Sequence, residues 1–217
     1  MVKNAIKFTP LMDSLPSSVP FVGPETQERL RSSKFLARLG ANENVFGPSP
    51  NAIKAMQQES KNIWMYGDPE NHDLKEALAD HHKINKNEII IGEGIDGLLG
   101  YLARMLIKPG DTVVTSNGAY PTFNFHVSGY GGVLHKVPYK SDMEDPDALI
   151  NKAVEVGAKL IYFANPDNPM GTCHSRTVIT KLINSVPDGC LLILDEAYIE
   201  FADKDVAPKL DPSSSKV

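Results

Sequence analysis

From Glu88 onward the chain alternates short apolar runs with amphipathic stretches, and this rhythm constrains the fold more than any other feature. Glu88 to Ile91, Thr112 to Thr115, Val133 to Val137, Lys159 to Ala164 and Leu191 to Leu194 read as strands. Asp96 to Ile107, Pro121 to Gly129, Asp145 to Val156 and Ser175 to Ser185 read as the helices between them. Parallel strands need a crossover, and a helix is the usual one. The alternation therefore predicts an α/β domain with a largely parallel sheet.

The first fifty residues differ. Pro10, Pro16, Pro20, Pro24, Pro48 and Pro50 disfavour long helices and regular strands. An extended arm with one short helix near Glu25 to Ser33 is expected there. Helices are expected at Asn51 to Glu59 and at Asp73 to His82, the latter with Leu74, Ala77 and Leu78 on one face. At the other end the rhythm stops after Leu194. Asp211 to Ser215 is polar and turn-like, and the chain is read as a fragment that halts in a loop at Lys216-Val217.

Composition narrows the function. A net charge of -5 and a pI near 5.7 argue against a broad nucleic-acid surface. Cys173 and Cys190 fit neither a metal spacing nor a disulfide framework. No apolar run approaches a membrane span. The expectation is a cytoplasmic protein directed at small molecules, with no metal.

In open α/β sheets, ligands bind beyond the carboxyl ends of the strands. Four strand ends here carry suggestive residues. Gly92-Glu93-Gly94-Ile95-Asp96-Gly97 follows a strand and opens a helix, which suits an anion such as phosphate. The string also matches the dinucleotide fingerprint, but the next strand ends in Ser116-Asn117, where that fingerprint wants an acid. Asn117 to Phe123 sets Tyr120 and Phe123 past a strand end, where a flat ring could stack or where both could be core. Asn165-Pro166-Asp167-Asn168-Pro169 makes a turn able to hold an asparagine side chain. Asp195 ends an apolar strand, so it meets a cation or serves as a cap, and Tyr198 follows three residues later.

Taken together, these strings resemble fold-type-I aminotransferases, and among them the histidinol-phosphate aminotransferase-like group. Leu39-Gly40-Ala41-Asn42-Glu43-Asn44-Val45-Phe46-Gly47-Pro48 is similar to that group's N-terminal signature, with Val45 where proline is usual. Tyr66-Gly67-Asp68-Pro69 resembles its Tyr-Pro-Asp-Pro. The resemblance implies a three-layer α/β/α large domain over residues 51 to 217, incomplete at its C-terminus. Residues 1 to 50 would form an arm and part of a small domain. It implies pyridoxal 5'-phosphate (PLP) as cofactor, amino-acid and 2-oxo-acid substrates, histidinol phosphate among the candidates, and a homodimer. Gly94, Ile95 and Asp96 would hold the phosphate, and Phe123 would stack on the pyridine ring. Asn168 and Tyr198 would bond its phenolic oxygen, and Asp195 would pair with its nitrogen. Tyr66 would reach the phosphate of the neighbouring subunit, and Asn42 and Asn44 would lie near the substrate.

The resemblance also implies a Schiff-base lysine in a serine-lysine string after a further strand. Ser213-Ser214-Ser215-Lys216 imitates that string, but no strand intervenes between Asp195 and Lys216, so Lys216 is not expected to serve. The lysine is expected beyond Val217, and the chain as given is expected to be inactive. The alternatives are a PLP-dependent decarboxylase of a phosphorylated amino acid and a non-catalytic fragment of the same fold.

Overall fold

A computed structural model describes residues 6–17, 21–203, 206 and 216–217. The serine string and the polar turn at 211–215 lie outside the described residues. In chain order the helices are α1 (Pro10–Ser14), α2 (Pro24–Arg31), α3 (Pro50–Glu59), α4 (His72–His82), α5 (Gly94–Leu106), α6 (Pro121–Gly129), α7 (Pro146–Val156) and α8 (Arg176–Ser185). The strands are β1 (Thr112–Ser116), β2 (Val133–Val137), β3 (Leu160–Ala164) and β4 (Leu191–Asp195). Contacts divide the chain into two compact units. One is Phe21–Ile91; the other begins at Gly92 and includes the first stretch of the chain. The break thus falls at Ile91, whereas proline density changes at Pro50.

In the unit Phe21–Ile91, α2, α3 and α4 carry no fully buried residue. Proline opens two of them, at Pro24 and Pro50, where the missing N–H would have had no helical partner anyway. The strand expected at Glu88 to Ile91 does not form. Asn85 starts a 3-10 turn instead: its side chain accepts from Asn87 N at 2.9 Å, and Glu88 Oε2 accepts from Asn85 N at 3.0 Å. Ile89 is extended, but among the described residues no strand pairs with it, and Ile90 stays 74% exposed. An apolar run needs a ladder partner before it is a strand. The N-terminal arm also holds a helical turn, α1, that proline density concealed. Thr9 caps it by accepting from Met12 N, and Pro10 sits at its first position.

In the second unit the sheet order is β2-β1-β3-β4, with every pairing parallel. The chain leaves β1 for β2, then turns back past β1 to β3 and on to β4. Strand residues alternate between two cores. Val113, Leu160, Tyr162 and Ile193 pack with Leu99 of α5 and with Phe123 and Val127 of α6. Val114, Ile161, Phe163 and Leu192 pack with Leu149 and Ala153 of α7 and with Ile179 and Leu182 of α8. The result is three layers, helix over sheet over helix, as the resemblance implies, around the parallel sheet that the alternation predicts. The caps fit the sequence: Asp145 accepts from Ala148 N at 3.1 Å ahead of Pro146, and Gly157 closes α7 at a φ of 60°.

Because the winding direction reverses between β1 and β3, their carboxyl ends border a crevice that no crossover covers.

Candidate functional site

At the carboxyl edge of the sheet, by the ends of β3 and β4, lies a small cavity lined by Ile95, Tyr120, Ala164, Pro166, Asn168, Asp195, Ala197 and Tyr198. Five residues singled out in the sequence, Ile95, Tyr120, Asn168, Asp195 and Tyr198, therefore meet at one place.

The helix α5 supplies one wall. Its N-cap residue, Glu93, makes no side-chain cap bond, so the first N–H groups of the helix have no partner from that side chain. Gly94 stands at φ +77°, a backbone conformation that strains other residues. At Gly92 a Cβ would come within 2.8 Å of the Leu98 side chain, which would have to shift. Asp96 lies in the first turn and accepts from the Tyr120 hydroxyl at 2.9 Å.

Tyr120 faces the cavity; Phe123 does not. The expectation that Phe123 presents its ring to a ligand is corrected by its position on α6. The helix turns Phe123 into the sheet, where it is fully buried and stacked on Tyr162, with ring centroids 4.7 Å apart. Tyr120 precedes the first turn and stays at the crevice. Burial and the nearby Asp96 and Asp195 carboxylates push its hydroxyl pKa upward.

The loop after β3 is closed by its own bonds. Asn165 Oδ1 accepts from His174 N at 2.8 Å, and its amide donates to His174 O at 3.2 Å. Gly171 N donates to Asp167 O, and Asp167 N to Thr172 O, both at 2.9 Å. Both Asn165-Pro166 and Asn168-Pro169 are cis. This frame carries Asn168 at the cavity wall.

Asp195 ends β4 and is 8% exposed. Its Oδ2 accepts from the Tyr162 hydroxyl at 2.5 Å, and its Oδ1 from Ala197 N at 2.9 Å. Among the described residues no cation pairs with it. Sequence reasoning missed Tyr162. Its signal was a single hydroxyl inside the buried run Leu160 to Ala164, since a buried tyrosine hydroxyl needs a partner.

Glu144 was also missed. It is 2% exposed and bridges two strand ends: Ser116 Oγ donates to its Oε2 at 2.5 Å, and Ala164 N to its Oε1 at 2.9 Å. Burial pushes its pKa up to about 7, with Asp167 and Asp195 adding in the same direction against the two hydrogen bonds. Asp167 is buried too. Tyr139 donates to its Oδ2 at 3.0 Å, and desolvation raises its pKa.

Lys216 lies elsewhere. Its carbonyl accepts from Leu192 N at 2.8 Å, near the amino end of β4. Its ammonium bonds Val186 O at 3.0 Å and pairs with Asp188 at 3.4 Å. Leu192 is three residues before Asp195, roughly 10 Å along a strand. Asn42, Asn44 and Tyr66 belong to the unit Phe21–Ile91. Asn42 adopts a φ of 54°. Asn44 Oδ1 closes a local turn by accepting from Phe46 N at 3.1 Å, and Tyr66 is fully exposed. Among the described residues no cluster of histidine, cysteine or acidic groups could hold a metal ion.

The sequence profile for aminotransferase class I and II matches residues 36–214. The histidinol-phosphate aminotransferase of Moorella thermoacetica is 33% identical over 195 residues, covering 90% of this chain and 50% of that protein. The crystal structure of histidinol-phosphate aminotransferase from Sinorhizobium meliloti, in complex with pyridoxal-5'-phosphate, superposes with a TM-score of 0.89 at 49% identity. That match covers 94% of this chain and 55% of the other. Aspartate aminotransferase from Thermus thermophilus with maleate, at 20% identity and a TM-score of 0.79, covers 96% of this chain and 57% of its own and shares the fold. The chain spans about half the length of the curated relatives it matches.

Proposed function

Since the chain belongs to the aminotransferase class I and II family, we propose that it binds PLP at the carboxyl edge of its sheet and forms the cofactor-holding part of an aminotransferase. One observation carries this reading. Asp195 is a buried carboxylate at a cavity, held by two donors and paired with no cation among the described residues. A protonated pyridine nitrogen is the partner such a group lacks.

The residues around it fit the rest of the molecule. The N–H groups of Ile95 and Asp96, at an α5 terminus opened by Gly94, suit a phosphate. Tyr120 offers a ring at the cavity wall, in the role first expected of Phe123. Asn168 and Tyr198 stand on the cavity wall as donors for a phenolic oxygen. When bound, PLP supplies an electron sink for the charge left when a substrate's α-proton departs. The protein's part is to fix the ring plane, keep its nitrogen protonated through Asp195, and exclude water with the apolar lining of Ile95, Ala164, Pro166 and Ala197.

The substrates in this reading are an amino acid and a 2-oxo acid, with histidinol phosphate the favoured donor, as the names of the relatives suggest. A homodimer belongs to the same reading. Ile63, Trp64 and Tyr66 are 82%, 80% and 105% exposed, which suits a partner surface, with Tyr66 reaching the neighbour's phosphate. Asn42 and Asn44 are assigned to the substrate, residues 1 to 50 to an arm and part of a small domain, and the protein to the cytoplasm. No helix among the described residues is long and apolar enough to cross a membrane.

Titrating the chain with PLP and following absorbance tests the core of this proposal. Saturable binding that weakens at least about tenfold in Asp195→Ala is expected, the usual scale for losing a buried charged partner. Binding of a nicotinamide dinucleotide with no response to PLP would overturn it. Transfer of an amino group from histidinol phosphate to a 2-oxo acid, assayed on the natural gene product, tests the donor.

A further inference from the structure

Tyr162 has no place in the cofactor cradle described so far, yet it makes a close contact with that cradle's central residue. It lies in the middle of β3, fully buried, and its hydroxyl reaches Asp195 Oδ2 at 2.5 Å from the neighbouring strand. Its ring is clamped by Phe123, also fully buried, with planes 17° apart. Burial first, and the Asp195 charge second, push the phenol pKa far up, so the proton stays on the tyrosine and the bond has one direction: Tyr162 donates, Asp195 accepts. Ala197 N donates to the other oxygen at 2.9 Å. Two donors on two oxygens stop the carboxylate from rotating, and lone pairs are left over for a third donor at the cavity.

We propose that Tyr162 is a positioning residue for the cofactor's ring nitrogen: by holding Asp195 in one orientation, it makes the site select a ligand that presents an N–H at that point. The inference rests on the PLP reading above. It also gives Phe123 an indirect role, as the wall behind Tyr162, in place of the direct stacking role the sequence suggested.

The test compares PLP with its carbocyclic analogue, in which C–H replaces the ring nitrogen. Dissociation constants are measured on the unaltered chain and on Tyr162→Phe. The unaltered chain should prefer PLP. In Tyr162→Phe that preference should fall about tenfold, the scale of one hydrogen bond to a charged group, while affinity for the analogue holds within about twofold. An unchanged preference overturns the proposal and leaves the PLP site standing. Equal weakening toward both ligands also overturns it, because a merely structural tyrosine would do that. No preference in the unaltered chain removes the pairing at Asp195 and this inference with it.

A second measurement needs no variant that must fold. A phenol proton held in so short a bond should resonate downfield of the amides and should shift when PLP binds but not when the analogue binds. A resonance that is missing, or that responds alike to both, counts against the proposal.

Discussion

Replacing Glu144 with glutamine should make the chain more stable, and more so as pH rises. Glu144 is buried with two hydrogen bonds, and no cation pairs with it among the described residues. Its pKa rises from 4.5 to about 7. Between those values the folded chain holds a proton that the unfolded chain has released. The stabilisation from that proton is fully present below about pH 4.5 and is lost as pH climbs through 7. A rise of about two and a half pH units, at roughly 1.4 kcal/mol each, sets an upper scale of about 3 kcal/mol. Glutamine resembles the protonated acid in shape and bonding. Its carbonyl can accept from Ala164 N, and its amide can donate to Ser116 Oγ. Glu144→Gln should therefore match the parent near pH 4.5 and exceed it by up to about 3 kcal/mol at pH 8. Urea unfolding at the two pH values, with equal slopes, reads this directly. A variant that is no more stable than the parent at pH 8 would refute the reasoning, because it would mean that the ionised carboxylate is well solvated or paired there.

Three further outcomes are expected. Gly94→Ala meets nothing within 4 Å, so its cost is the left-handed φ alone, about 1–2 kcal/mol by thermal or urea unfolding, with weaker PLP binding alongside. Asn165→Ala removes both bonds to His174, which should cost about 1–3 kcal/mol and speed amide exchange at Gly171, whose bond lies inside the loop those bonds close. Lys216→Ala should leave PLP affinity unchanged and cost at most about 1 kcal/mol, because its partners Val186 O and Asp188 precede β4; loss of PLP binding would reverse the reading of that lysine.

The strands and helices of the second unit were legible because the strands alternate their side chains between two cores while each helix turns one apolar face to a single core. The apolar runs at Thr112, Leu160 and Leu191 are buried on both faces, and the helices between them are bracketed by Pro121, Pro146 and Gly157. The run ending at Ile91 was misread because its composition suits a strand while nothing described pairs with it. That Ile95, Asn168, Asp195 and Tyr198 would meet at one cavity was legible because strand ends in such a sheet converge. Phe123 and Tyr120 could not be told apart from sequence. Three positions separate them, and only the rotation of α6 decides which one faces the sheet. Glu144 was hidden for a different reason. It sits among Asp142, Asp145 and Asp147, where a charged run before a helix reads as solvated.

Three carboxylates, Glu144, Asp167 and Asp195, are buried at one edge of the sheet; the Asp195 charge makes both Glu144 and Asp167 costlier to ionise, and Asp167 adds to the cost at Glu144. Their environments separate them. Glu144 has bonds that a protonated acid satisfies equally well, so it can shed its charge. Asp167 accepts from Tyr139 and Met170 N at Oδ2, while its buried Oδ1 has no hydrogen-bond partner. Asp195, like Glu144, has a donor on each oxygen, but of the three it alone lies on the cavity wall. A cation arriving there relieves Glu144 and Asp167, since it cancels the Asp195 charge that both feel. Cofactor binding should therefore lower the pH at which Glu144 gives up its proton. The protein would then release protons as PLP binds near pH 7, an effect visible as a buffer-dependent heat in calorimetry and absent in Glu144→Gln. A heat of binding that keeps the same buffer dependence in the variant would show that the carboxylates do not communicate.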